Sequence, residues 1–303
     1  MLRTTLLTLA GMILALPAVS QTMPRQPAFG LELEGFAYPY PVANFQFSSQ
    51  RQQLQMAYMD IAAATPNGQT AVLFHGKNFC AATWKETIDV LSAHGYRVIA
   101  VDQIGFCKSS KPDSYQYTFQ QLARNAHALL ESLHVDMPIL VSHSTGGMIA
   151  VRYALMYSQE TRKLVLVDPI GLEDWKAKGV PSISVDDWYV RELQTNADKI
   201  RKYEQSTYYA GAWKPEYQIW VDMLAGLNNG ADKDTTAIGR DLATPAVQAT
   251  LGHYTELGKQ AAARIPGATL VELPDSGHAP QIQEPAKFHE ALLSWLQSTP
   301  HTR

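Results

Sequence analysis

Cysteine is nearly missing from this chain. Its 303 residues carry two, Cys80 and Cys107, too few for a disulfide framework or a cysteine-rich metal cluster. Charge is scarce as well: Asp, Glu, Lys and Arg make up 17%, with a net charge of −3. That leaves no basic field to attract nucleic acid or an anionic membrane, so neither is expected as a partner. No repeat period and no low-complexity tract occurs, which excludes a solenoid or an array. No dinucleotide fingerprint and no metal-ligand spacing is present, so no cofactor and no metal is implied. What the chain does have is a 46% hydrophobic composition, enough for one large core domain with a small insertion.

The first twenty residues stand apart. Arg3 provides a positive start, residues 6–16 are apolar, and Pro17 precedes the small-residue run Ala18-Val19-Ser20. This layout matches a secretory signal peptide cut before Gln21. The apolar run is short for a membrane span, so stable membrane insertion is not expected. The expected location is secreted or periplasmic.

Residues 21–43 read as a lead-in loop and 44–64 as two strands of an edge hairpin, with Phe45 and Phe47 alternating. From residue 70 the rhythm changes. Ala71-Val72-Leu73-Phe74, Val98-Ile99-Ala100-Val101, Ile139-Leu140-Val141 and Leu164-Val165-Leu166-Val167 are continuous apolar runs separated by helical segments. Continuous apolarity means burial on both faces, as in a parallel sheet covered by helices. Thr83 with Glu86, and Thr118 with Gln121, are spaced as capping boxes that start helices. A helix is also expected from Met148 to Tyr157, and another from Pro285. Residues 171–230 carry many aromatic residues and no strand-like run. Tyr217, Trp220, Val221 and Leu224 fall at helical spacing. This stretch reads as a helical cap between core segments 21–170 and 231–303.

Three places carry chemistry. Ile139-Leu140-Val141-Ser142-His143-Ser144-Thr145-Gly146-Gly147 is a strand, a sharp turn and a helix around a central serine, the pattern of a nucleophile elbow. A serine hydroxyl needs a base to become nucleophilic. His278 supplies one, at the end of a loop that follows the strand-like residues 268–273. His75-Gly76 closes a central strand, so the N–H of Lys77 can pair with that of Thr145 to hold an oxyanion. The Lys77 side chain itself is not expected to bind an anion.

Together with the run Asp102-Gln103-Ile104-Gly105-Phe106-Cys107-Lys108-Ser109-Ser110-Lys111-Pro112, these motifs resemble the α/β-hydrolase superfamily, in its serine-nucleophile branch. The resemblance covers roughly residues 45–170 and 231–298 and implies an α/β fold, a mostly parallel sheet covered by helices with an inserted helical cap. It implies a Ser-His-Asp triad in that chain order, with Asp234 in the acid's place. It also brings Cys80 and Cys107 near each other, as a possible disulfide or as two buried thiols.

The sequence departs from the family at the acid. Relatives place an apolar strand just before the acid loop, and here residues 220–231 read as helix and then a Gly/Asn loop. Asp168, at the end of the run 164–167, is the alternative acid. With a strand absent, unpaired backbone on both sides of the gap would be costly, so residues 268–273 are expected to pair directly with 163–168. The leading expectation is a serine hydrolase acting on an ester or similar acyl bond of a small apolar molecule. The alternatives are a catalytically impaired binding protein on the same scaffold and a cofactor-free haloperoxidase. Substrate and oligomeric state are not legible.

Overall fold

The computed structural model describes residues 27–174, 176–230 and 254–298. The expected leader, and the Asp234 loop, lie outside them. Six strands form one sheet in the order β1-β2-β4-β3-β5-β6. They are β1 (Ala43–Ser49), β2 (Gln52–Ile61), β3 (Thr70–Phe74), β4 (Arg97–Val101), β5 (Ile139–His143) and β6 (Lys163–Val167). The β1–β2 and β2–β4 pairs are antiparallel, and β4–β3, β3–β5 and β5–β6 are parallel. The apolar runs seen in the sequence are therefore parallel strands of the sheet; β3, β4 and β5 are buried almost throughout, and β6, last in the strand order, is mostly half-buried. Parallel strands need helical crossovers, and these cover both faces.

Helices α1 (Lys85–Ala93), α2 (Phe119–Ser132) and α3 (Thr145–Met156) connect the strands. On one face Leu122, Ala126, Leu129 and Tyr153 pack against Val72, Ile99 and Leu140. On the other, Trp84, Ile88 and Leu91 pack with Phe288, Leu292 and Leu296 against Leu73, Val98 and Val141. Thr118 caps α2 as expected, its side chain accepting from Gln121 N at 3.1 Å. Thr83 does not cap α1. A 3-10 turn, Ala81–Trp84, intervenes, and the Thr83 hydroxyl donates to the Cys80 carbonyl at 2.7 Å. The threonine is already inside the turn, so its oxygen faces backward.

After β6 come α4 (Val185–Leu193), α5 (Ala197–Thr207) and α6 (Gln218–Asn228), then α7 (Tyr254–Arg264), a one-turn helix Pro280–Gln283, and α8 (Pro285–Ser298). No helix among the described residues is long and apolar enough to cross a membrane. Residues 218–228 are helical, so no strand forms there, in line with the sequence. The expected repair is overturned. Residues 268–273 are not a strand, and β6 pairs with β5 alone among the described residues. Leu270 and Val271 are 39% and 51% exposed. The chain that follows is committed elsewhere: residues 278, 279 and 283 hydrogen-bond to the last residue of α5 and the two residues after it.

Candidate active site

β5 ends at His143 and α3 begins at Thr145, so Ser144 alone makes the turn. Its φ of 54° and ψ of −118° lie where L residues are strained. The surroundings hold it there. Ser144 N donates to Val167 O at 3.1 Å, and its carbonyl accepts from Gly147 N at 2.9 Å. Small neighbours are obligatory at two points. A Cβ on Gly146 would sit 2.6 Å from the Phe74 carbonyl oxygen, and one on Gly76 would sit 3.0 Å from the Ser144 Cβ. Ser142 stands at the first glycine of the G-x-S-x-G elbow pattern, and its hydroxyl donates to Val165 O at 3.1 Å.

The His278 ring meets this turn. Its Nε2 lies 2.8 Å from Ser144 Oγ, with Ser144 1% and His278 2% exposed. The histidine loop is tied down by backbone. His278 N donates to Thr207 O at 3.0 Å, Ala279 N to Tyr208 O at 3.2 Å, and Gly277 N to Gln283 Oε1 at 2.6 Å. Tyr208 stacks on the His278 ring at 5.3 Å and 16°. A second histidine closes the arrangement. His143 Nε2 donates to the His278 carbonyl at 2.6 Å, since a carbonyl can only accept. Burial, followed by the neighbouring His143, pushes the His278 imidazole well below the usual histidine range, and burial pushes His143 down to about 4. Both rings therefore rest neutral, and His278 can take a proton from Ser144.

Gly76 brings the end of β3 against the elbow, so Lys77 and Thr145 flank the serine. Thr145 opens α3, and N–H groups of a first helical turn have no intrahelical acceptor and carry partial positive charge. The Lys77 ammonium is occupied elsewhere. It pairs with Glu192 of α4 at 2.5 Å, both side chains largely buried. Just before Gly76, His75 donates through Nδ1 to the Gly76 carbonyl and accepts at Nε2 from Gln103 N at 3.1 Å. Asp102 is structural: its carboxylate accepts from Ala81 N, Tyr38 Oη and Lys108 N.

Asp168 follows β6 directly, with φ at 40°. Burial pushes its carboxyl up to about 7, toward the neutral form. Cys80 and Cys107 are both free and buried. Their sulfurs and an Asp102 oxygen lie within 4.8 Å of one another, but no bridge joins them. The Cys80 thiol turns toward Met223 Sδ and the Cys107 thiol toward the Phe79 carbonyl.

Sequence reasoning missed His143 and Tyr208. His143 could have been found from its place beside the nucleophile, where a strand-end side chain must lie at the same sheet edge. Tyr208 carried no such signal, because only tertiary contact distinguishes it from the other cap aromatics.

Known proteins resemble this chain in structure or in sequence. A probable hydrolytic enzyme from Pseudomonas aeruginosa PAO1 is 52% identical and superposes with a TM-score of 0.87, covering 90% of this chain and 99% of that one. The provisionally named carbamate hydrolase RutD of Serratia proteamaculans is 26% identical over 258 residues, 78% of this chain and 93% of the relative. The 2-hydroxy-6-oxo-2,4-heptadienoate hydrolase of Pseudomonas putida is 27% identical over 188 residues, 55% of this chain and 66% of the relative. The model of the alpha/beta hydrolase family matches residues 71–291, and the chain belongs to that family.

Proposed function

We propose that this chain is a serine hydrolase that cleaves an ester or similar acyl bond of a small apolar substrate. The observation that carries this reading is the 2.8 Å contact between Ser144 Oγ and His278 Nε2 on a strained elbow. His278 takes the Ser144 proton as Oγ attacks the substrate carbonyl carbon, and the N–H groups of Lys77 and Thr145 receive the oxyanion. His278 then returns the proton to the leaving group, and water releases the acyl group by the same route. Asp234 is the proposed third member, orienting His278 and stabilising its charged form. Asp168 is the weaker candidate, since burial pushes its carboxyl up to about 7 and toward the neutral form. Names of relatives support hydrolysis as the reaction class and leave the substrate open. The chain is further proposed to be exported and cut before Gln21, which N-terminal sequencing of exported protein tests directly.

A fluorophosphonate is the decisive reagent. It is expected to label Ser144, and Ser144→Ala is expected to abolish labelling while the protein stays folded. Labelling that persists on another serine overturns the assignment. A second reading has one observation behind it: β6 lacks a neighbour on its outer side among the described residues. A scaffold weakened there, retained for binding only, would take no label at Ser144 although folded.

A further inference from the structure

Tyr208 follows the last residue of α5 and is buried. Three contacts of the site meet on it. One face of its ring lies nearly parallel to the His278 imidazole, 5.3 Å away at 16°. Its backbone carbonyl accepts from Ala279 N, on the loop that carries the histidine. Its hydroxyl accepts from Asn78 Nδ2 at 3.1 Å.

Asn78 belongs to the turn that follows β3. Phe79 N donates to Gly76 O at 3.1 Å and closes residues 76–79 into that turn. Lys77, whose amide is proposed to receive the oxyanion, sits inside it. Phe79 adds an apolar contact, its ring 5.0 Å from that of Tyr208. Tyr208 is therefore wedged between the base loop and the oxyanion turn, two parts of the site that come from distant segments of the chain. A tyrosine suits this place: its rigid ring sets a plane, and its hydroxyl fixes a partner at one end of that plane. Attack needs the base and the oxyanion donors placed together, and a small misplacement of either is costly.

We infer that Tyr208 is a positioning residue: its ring face fixes the His278 imidazole against Ser144, and its hydroxyl holds the oxyanion turn to the same frame through Asn78. The inference rests on the proposed hydrolase reading for its catalytic meaning, and the placement of His278 can be measured apart from catalysis. Burial is the main force on the His278 proton, and the Tyr208 ring is part of what keeps water from the imidazole. The titratable rings set against His278 among the described residues are His143 and Tyr208, with Asp234 as the proposed third partner.

The test uses the full chain and the second-order rate of Ser144 labelling by a fluorophosphonate, which draws on both the base and the oxyanion amides. Tyr208→Phe keeps the ring and loses the hydroxyl. This variant and Asn78→Ala are each expected to slow labelling about fivefold, and the double variant is expected to be no slower than either alone. Tyr208→Leu removes the face and admits water beside half-buried Asn78. It is expected to slow labelling at least about a hundredfold. It is also expected to raise the His278 titration, read by NMR of the ring, toward the ordinary range of about 6.5, whereas Tyr208→Phe leaves it unmoved. A tyrosine that only stabilised the fold would lower the melting temperature and leave this titration in place. Should Tyr208→Leu misfold, the comparison of Tyr208→Phe, Asn78→Ala and their double variant still decides. Labelling undiminished by Tyr208→Phe, single effects that multiply in the double variant, or a titration unmoved by Tyr208→Leu overturns the inference. A parent chain whose Ser144 takes no label sinks the hydrolase reading, and the titration alone then upholds or overturns the placement of His278 by Tyr208.

Discussion

His278 is fixed by neighbours that mostly carry no charge: a tyrosine face, two cap carbonyls and the His143 ring. Burial is the main force on its proton, and it disfavours the imidazolium. A base works only while neutral, so lowering its pKa moves the acid limb of the rate profile downward. The expected kcat/KM is level from pH 8 to about 6.5 and falls only below that value, the ordinary histidine range. A midpoint above 7 in the pH–rate profile would contradict the burial argument. Glu204 poses the opposite case. It is 0% exposed, neither carboxyl oxygen has a partner, and burial pushes its carboxyl up to about 8. Its folded form holds a proton that the unfolded chain releases near pH 4.5, so its presence costs stability as pH rises from about 4.5 to 8. Glu204→Gln is expected to be more stable than the parent at pH 8, by on the order of a few kcal/mol. The two should converge toward pH 5. Melting curves at the two pH values check both sign and direction.

At the scale of elements, the helices after β6 act as the anchor of the histidine loop. Thr207, the last residue of α5, and Tyr208 after it accept backbone hydrogen bonds from residues 278 and 279, and Gln283 donates to Tyr209 O at 3.1 Å. The approach is so close that a Cβ on Gly277 would lie 2.6 Å from both Ala210 N and Tyr208 O. Backbone atoms cannot yield as a side-chain end can. Gly277→Ala is therefore expected to push the loop off the cap and draw His278 Nε2 away from Ser144. The loss should fall on kcat by at least about a hundredfold, because misplacement by about an ångström is enough. An unchanged kcat in a folded variant would show that the loop is placed by something else. α4 contributes a second tie through Glu192 and Lys77, next to the proposed oxyanion amides.

For the molecule as a whole, β6 is the last strand of the sheet among the described residues. Leu164, Val165 and Leu166 are only half-buried, in contrast to the buried β5 beside them. An outer strand has fewer shielded hydrogen bonds and opens more readily than a central one. Amide exchange is expected to be slowest at Leu140 and Val141, with β6 exchanging well ahead of them. Equal protection of β5 and β6 would mean that the outer edge of β6 is covered.

Short-range pattern was enough to read much of this protein. Apolar runs on both faces dictate buried parallel strands whatever surrounds them, and a serine between a strand and a glycine-bearing helix start dictates an elbow. Thr118 had its cap legible three residues away, and the break at residues 220–231 was equally local, because helical spacing and a Gly/Asn tail cannot pair as a strand. What the tertiary structure decided is everything that depends on distant partners. Residues 268–273 have strand composition, but a strand exists only if a neighbour supplies the other half of its hydrogen bonds. The carbonyls of Thr207 and Tyr208, far earlier in the chain, claim the His278 loop that follows residues 268–273. The same holds for His143 and Tyr208. Their types are ordinary in sequence, and their importance comes from which backbone or ring the fold sets against them.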